Sequence, residues 1–281
     1  MVNCVICGIN QGGSKFKLMK KSNFLAIFLF LALSFLMPQK SQAQIIEVGF
    51  SGGLSYYIGD INPSKHFAQS DYGVGAVVKY YDNLRWAFRF QYSYLNLKAS
   101  DAKIGFKPER GLAFNSRVND FSLIAEFNFF DYWTGSDRNY FTPYICGGIS
   151  VFSFDTFAPD GTALRPLQTE GVAYKGASFS IPFGIGVKYS MNERLGLTLE
   201  WTIHKSFTDY IDDIHGLYPE TSVVVNGVNY TDPSGLYQPG MQRGNGTASG
   251  FGYNCDWFST LQLSILCKFN FPRKDVCHSG L

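Results

Sequence analysis

Charge is scarce in this chain of 281 residues, and what there is nearly cancels. Asp, Glu, Lys and Arg make up 16% of the sequence, and the formal net charge is +2. No basic block and no acidic tail stands out, which argues against a nucleic-acid partner. Histidine is rarer still, at four residues. The six cysteines follow no zinc-binding spacing. One long apolar run is present, FLAIFLFLALSFLM at 24–37, and it falls short of the roughly 20 residues a spanning helix needs. Amphipathic helices of ordinary length are missing too. Mean hydropathy is −0.04, far from the strongly apolar value of a helical membrane protein. Together these absences exclude a helical membrane protein, a zinc module and a nucleic-acid binder.

The apolar run explains itself. It follows Lys20 and Lys21 and ends at Ser41-Gln42-Ala43, a small-x-small cleavage signal. Residues 1–43 read as a secretory signal peptide, with Met19 as an alternative true start and Gln44 as the first mature residue. Cys4 and Cys7 form a CxxC in the segment that is removed, so they carry little weight. None of the other four cysteines lies just after the cleavage site, which argues against a lipoprotein anchor. Export permits disulfides, but Cys146 is expected in the lumen and Cys267 on the lipid face. Cys255 and Cys277 are expected at opposite ends, so all four are expected to be free.

Aromatics are plentiful, at 17%. They recur at every second position. In DWFSTLQLSILCKFNF (256–271), Trp257, Leu261, Leu263, Ile265, Cys267, Phe269 and Phe271 share one face, and Thr260, Gln262, Ser264, Lys268 and Asn270 share the other. The apolar face matches the roughly 9–11 residues with which a tilted strand crosses a bilayer. Eight such segments can be laid out, at 45–57, 72–81, 84–97, 120–130, 140–153, 179–191, 195–207 and 257–271. The gaps between them alternate. Asp82-Asn83, a turn holding Gly135, Ser136 and Asp137, and Asn192-Glu193-Arg194 are short; 58–71, 98–119, 154–178 and 208–256 are long. Short turns at one end and long loops at the other are the layout of an outer-membrane barrel. The expected fold is all-β, an eight-stranded antiparallel transmembrane barrel over 44–271, with a periplasmic tail at 272–281.

A soluble up-and-down barrel would place the apolar face inside. The aromatic face is too bulky for an eight-strand interior, and such a barrel has no need of four long loops at one end. With the polar face inward, the strand charges must pair across a narrow lumen. Lys79, Arg85, Arg89, Lys188 and Lys268 are the expected cations of that network, and Glu47, Glu126 and Glu200 its anions. Phe269 and Phe271, closing the last strand, read as an assembly signal.

Little in the sequence suggests chemistry. His204 shares a face with Glu200, but four strand residues span roughly 13 Å, too far for a direct contact. His66, His215 and His278 fall in loops or the tail. The acids of DYIDDI (209–214) match no calcium-loop spacing. No catalytic residues, cofactor, metal site or small-molecule substrate is expected.

Several strings are nevertheless distinctive: SYYIGDINP (55–63), FTPYICGGI (141–149), LRPLQTEG (164–171), FGIGVKYSMNERLGLTLEW (183–201) and FTDYIDDIHGLY (207–218). In this order they resemble the PorG family, outer-membrane barrels of the type IX (Por) secretion system of Bacteroidetes. The resemblance runs over nearly the whole mature chain. It implies a non-enzymatic role, anchoring a periplasmic ring made by a lipoprotein and its partner to the outer membrane. With the short turns in the periplasm, Asn83, Asp137 and Glu193 become the candidate contacts. The competing reading is a small barrel, bound to outer-membrane lipid, that acts as an adhesin or tether through its surface loops. A pore or a lipid-modifying enzyme is a third.

Overall fold

A strand that alternates apolar and polar residues has two unlike faces, and closing such strands edge to edge leaves no unpaired backbone. In the computed structural model eight long strands do this. The structure describes residues 44–105, 112–167, 173–214, 223–225, 228–230 and 255–271. The expected signal peptide, the tail and Cys277 lie outside these residues.

The long strands are β1 (Gln44–Ile58), β2 (Asp71–Tyr81), β3 (Trp86–Ser100), β4 (Ala113–Asn128), β5 (Phe141–Phe157), β6 (Ala177–Ser190), β7 (Leu195–Ser206) and β10 (Trp257–Phe271). Each pairs antiparallel with its neighbour, and β1 closes on β10, from Gln44 opposite Phe271 to Ile58 opposite Trp257. A one-turn helix, α1 (Asp101–Ile104), follows β3, and β8 (Val223–Val225) pairs with β9 (Val228–Tyr230) as a separate hairpin. The expected closed eight-stranded barrel is therefore the observed fold. Both chain ends of the barrel lie with the short turns, because the strand number is even.

The turns have local causes. Asn83 accepts hydrogen bonds on Oδ1 from the N–H groups of Arg85 and Trp86, both at 2.9 Å. Asn192 does the same for Arg194 and Leu195, at 3.0 and 2.8 Å. Each asparagine thus satisfies the two amides that a reversing chain leaves open.

The outer wall is apolar. Phe50 is 76% exposed, Ile149 66% and Phe179 65%, with Phe90, Leu123, Ile185, Leu199 and Ile265 alongside. A wall of large apolar side chains around a polar interior is stable in lipid, not in water. The molecule is an integral membrane barrel.

Towards the long loops the strands turn inside out. In β3, Tyr92 and Tyr94 face outward, but beyond them Leu95, Leu97 and Ala99 are buried inside. In β4, Phe121 and Leu123 are exposed, whereas Phe114 and Val118 point inward while Asn115 and Arg117 face out. In β5, Val151 is outside and the next residue, Phe152, is inside with Phe154. These residues join Ile61, Leu112, Ala158, Leu164, Ile211, Ile214 and Phe258 in one apolar cluster that fills the long-loop mouth. Beyond the lipid belt the barrel is therefore built like a soluble one.

The inversion corrects the expected strand limits. β4 begins at Ala113 rather than 120, and β5 runs to Phe157 rather than 153. The sequence reading followed an apolar outer face, and that face ends where the bilayer ends.

Candidate functional site

The polar interior is the candidate site, and its centre is Glu126 on β4. Lys79 Nζ lies 3.0 Å and Lys188 Nζ 2.6 Å from Glu126 Oε2, and Arg89 Nη1 lies 3.3 Å from Oε1. Arg89 also donates from Nη2 to Glu200 Oε1 at 2.7 Å. Glu200 takes further hydrogen bonds from Tyr144 Oη at 2.5 Å and Thr202 Oγ1 at 2.6 Å, and the Cys146 thiol points at it from 3.6 Å. Lys188 donates to Asn128 Oδ1 at 2.8 Å and faces the Tyr144 ring at 4.6 Å and the Tyr81 ring at 5.1 Å. All these ions are buried. Alternation along five strands puts them inside, and the register of closure brings them together.

Two expected members stand at the short-turn end of this set. Glu47 accepts from Tyr81 Oη at 3.1 Å and from Thr134 Oγ1. Lys268 donates to the Thr134 carbonyl. Arg85 is a correction: it is not in the lumen. The β2–β3 turn is longer than Asp82-Asn83, so Arg85 falls within it, 51% exposed, and its Nε donates to Asp131 at 2.9 Å on the surface. Exposed pairs of this kind contribute under ~1 kcal/mol.

Thr134 belongs to the β4–β5 connection, expected from sequence as a short turn holding Gly135, Ser136 and Asp137. It instead folds into the short-turn mouth. Tyr132 packs against Tyr81 and Ala87, Thr134 is fully buried, and the Gly135 N–H donates to Ser190 Oγ at 2.8 Å. Of the candidate turn contacts, Asp137 and Glu193 are exposed and Asn83 is half-buried. Phe269 is exposed on the outer wall, and the side chain of Phe271 lies outside the described residues.

Above the ion network, Gln91 donates to Gln262 Oε1 at 2.8 Å and to Ser93 Oγ at 2.9 Å. The next layer holds a grouping that sequence reading missed. His204 Nδ1 lies 3.4 Å from Ser180 Oγ and 3.9 Å from Asp120 Oδ1. A hydroxyl, an imidazole and a carboxylate suggest nucleophilic chemistry, but a relay needs the acid on one ring nitrogen and the hydroxyl on the other. Here both approach Nδ1. The ring also stacks on Phe258, centroids 4.4 Å apart, beneath the apolar mouth cluster. The three residues come from β4, β6 and β7, and no local pattern links them. His66 lies in the loop after β1, 3.3 Å from Tyr56 Oη. Among the described residues no grouping of His, Cys, Asp and Glu could hold a metal ion. Cys146 and Cys267 are free thiols, the first buried inside.

The lumen is thus filled at three levels: an apolar cluster at one mouth, ion pairs in the middle, and a tucked connection at the other mouth. Planar bilayers carrying the purified protein are expected to show no steady conductance. A large, stable open level would contradict the packing described here.

Solved structures of similar shape include the N-terminal barrel domain of Pseudomonas aeruginosa OprF, 12% identical, covering 82% of this chain and 100% of that one, with a TM-score of 0.39. P. aeruginosa OprG is 13% identical over 83% of this chain and 98% of its own, with a TM-score of 0.39. Neisserial surface protein A is 10% identical over 82% and 100%, with a TM-score of 0.37. No curated protein matches the sequence. Residues 22–228, which take in β1 to β7, match the model of a domain of unknown function, DUF6089. That is well over half of the chain, and the protein belongs to the DUF6089 family.

Proposed function

We propose that this barrel is a non-enzymatic outer-membrane component of the type IX protein secretion system, and that its short-turn, periplasmic end anchors the ring formed by a lipoprotein and its partner. The family resemblance of the strings at 55–63, 141–149, 164–171, 183–201 and 207–218 names the system. The structural observation that carries the anchor reading is the tucked β4–β5 connection. Gly135 is wedged against Glu193 and Lys268, and the Lys268 N–H donates to the Arg194 carbonyl at 2.7 Å. The short-turn end is therefore one braced platform, with Asp137, Arg138 and Glu193 exposed on it. A braced, sealed end suits attachment better than transport. The surface is small and charged, so each contact should be weak, and repetition around a ring would supply the strength.

Photo-crosslinkers at Asn83, Asp137 and Glu193 are expected to capture the ring lipoprotein, and one at Gly161, at the opposite end, is not. Deleting the gene should abolish export by the system. Intact export together with empty short-turn crosslinks would overturn the proposal.

One observation favours the adhesin-or-tether alternative. Beyond the lipid belt the barrel continues as an ordered sleeve with polar residues outside, where Arg165 bridges Asp155 at 2.9 Å and Arg117 lies over the Phe157 ring at 4.9 Å. Such a sleeve could present a surface to other cells. Loss of attachment with export intact would select this reading.

A further inference from the structure

Tyr57 is the last inward residue of β1, and Asp256 directly precedes β10. Between β7 and the described start of β10, the chain at 207–214 lays Ile211 and Ile214 into the apolar mouth cluster, with Asp212 between them. Tyr57 Oη lies 2.6 Å from Asp212 Oδ2 and 2.6 Å from Asp256 Oδ1, and it also accepts the Asp60 N–H at 2.9 Å.

A phenol carries one proton. Tyr57 can donate it to one carboxylate only. The second contact, equally short, needs a proton on the other carboxyl, donated to the phenol oxygen. The closed arrangement therefore holds one proton more than two ordinary aspartates would. Asp60 from the β1–β2 loop and Asp209 from the 207–214 segment face it. Tyr174 stands next to it, donating to Asp213 at 2.5 Å, with the Arg165 guanidinium as the cation on its other side. His204 lies below Phe258, turned to Ser180 and Asp120. Burial first, and the neighbouring carboxylates second, hold Asp212 and Asp256 well above the usual carboxylate range.

We propose that Asp212, Tyr57 and Asp256 form a proton-binding latch that clamps the 207–214 segment over the long-loop mouth and releases it as external pH rises. The same residues hold the segment's backbone. The Ile211 N–H donates to Asp256 Oδ2 at 2.9 Å, and the Ile214 N–H to Asp212 Oδ1 at 3.0 Å. Of the two, the Ile211 bond ties the segment to the start of β10, and the Ile214 bond shapes the segment around Asp212. Ionising the shared carboxyl puts two anions on one phenol, and their repulsion drives Asp212, with its segment, away from Asp256. The sign follows from linkage. The latched form binds more protons than the released form, so it loses stability as pH rises. The loss begins near the free aspartate value of about 4 and continues until the latched acid itself ionises. Within that window release becomes about tenfold easier per pH unit.

Hydrogen exchange at the Ile211 and Ile214 amides of the full chain in detergent tests the latch, with intrinsic rates corrected for pH. Protection is expected to fall by up to roughly a hundredfold between pH 6 and pH 8, while amides of β4 and β5 stay protected. Asp256→Asn keeps an oxygen for Ile211 and offers an uncharged N–H to Tyr57, so its protection should become independent of pH. Asp212→Asn should behave alike, which covers the case in which one variant does not fold. Equal corrected protection of the wild type at both pH values would overturn the latch. So would a pH dependence that survives in the asparagine variants.

Discussion

Replacing Glu126 with glutamine should destabilise the barrel by about 3–5 kcal/mol, the cost of stranding buried charge when one partner is removed. Glu126 is the point on which Lys79, Arg89 and Lys188 converge, at 2.6–3.3 Å, and all four side chains are buried. Glutamine keeps the volume and removes the charge. Among the described residues, Glu200 then remains the only anion in direct contact with any of these three cations, through Arg89. Lys79 and Lys188 are both fully buried, so neither is held at the solvent surface once the carboxylate is gone. The expected readout is a lower urea midpoint in detergent, with no change in the slope of the transition. A packing defect would give the same sign, so a second change separates the causes. Lys188→Met, added to Glu126→Gln, removes one stranded cation and should recover part of the loss. An unchanged midpoint for Glu126→Gln, or no recovery in the double variant, would mean that the network is not held by charge.

Glu126 also marks how far sequence reading reaches. Side chains alternate along a strand, so the local pattern already assigned Lys79, Arg89, Glu126, Lys188 and Glu200 to an inner face. Strand number and end-to-end topology followed from the same alternation and from gap lengths. What alternation cannot give is the neighbour across the lumen. Ser180, His204 and Asp120 meet because three strands close at a particular register, and each looks like an ordinary polar residue in its own strand. Tyr57 and Asp256 meet where β1 closes on β10, and Asp212 reaches Tyr57 from the 207–214 segment, across 199 and 155 residues of sequence. Two other misses have local physical causes. Arg85 alternates correctly with Trp86, but the turn consumes it before the strand begins. The outward apolar pattern begins β4 too late, because Phe114 and Val118 are apolar and inward, the reverse of Phe121 and Leu123. A reading that lets the apolar face switch sides where the lipid ends would have found it. The jump from an inward Val118 to an outward Phe121, an odd spacing, is the signal.

Closure itself depends on two residues with no side chain, and this gives the other large expected effect. Gly49 and Gly53 lie on β1 against β10, the seam that joins the two ends of the barrel. A Cβ on Gly49 would overlap the Ile265 carbonyl oxygen and lie 2.8 Å from Leu266 Cα. One on Gly53 would overlap the Leu261 carbonyl oxygen and lie 2.8 Å from Gln262 Cα. The obstacles are backbone, which cannot rotate away, so alanine at either position must push the strands apart and weaken the ladder between them. Overpacking a tight site costs about 1–3 kcal/mol even where side chains can yield. Here they cannot, and the two sites lie on one pairing. Gly49→Ala and Gly53→Ala are each expected to lower the fraction that runs as the compact, unboiled form on a gel, and the double variant to abolish it. Gly52→Ala is the control: on the other face of the same strand, its nearest neighbour would be the Gly73 carbonyl oxygen at 4.0 Å. It should fold like the wild type. If all three single variants behave alike, the seam tolerates a methyl group on either face, and closure must draw its specificity from the lumen charges instead.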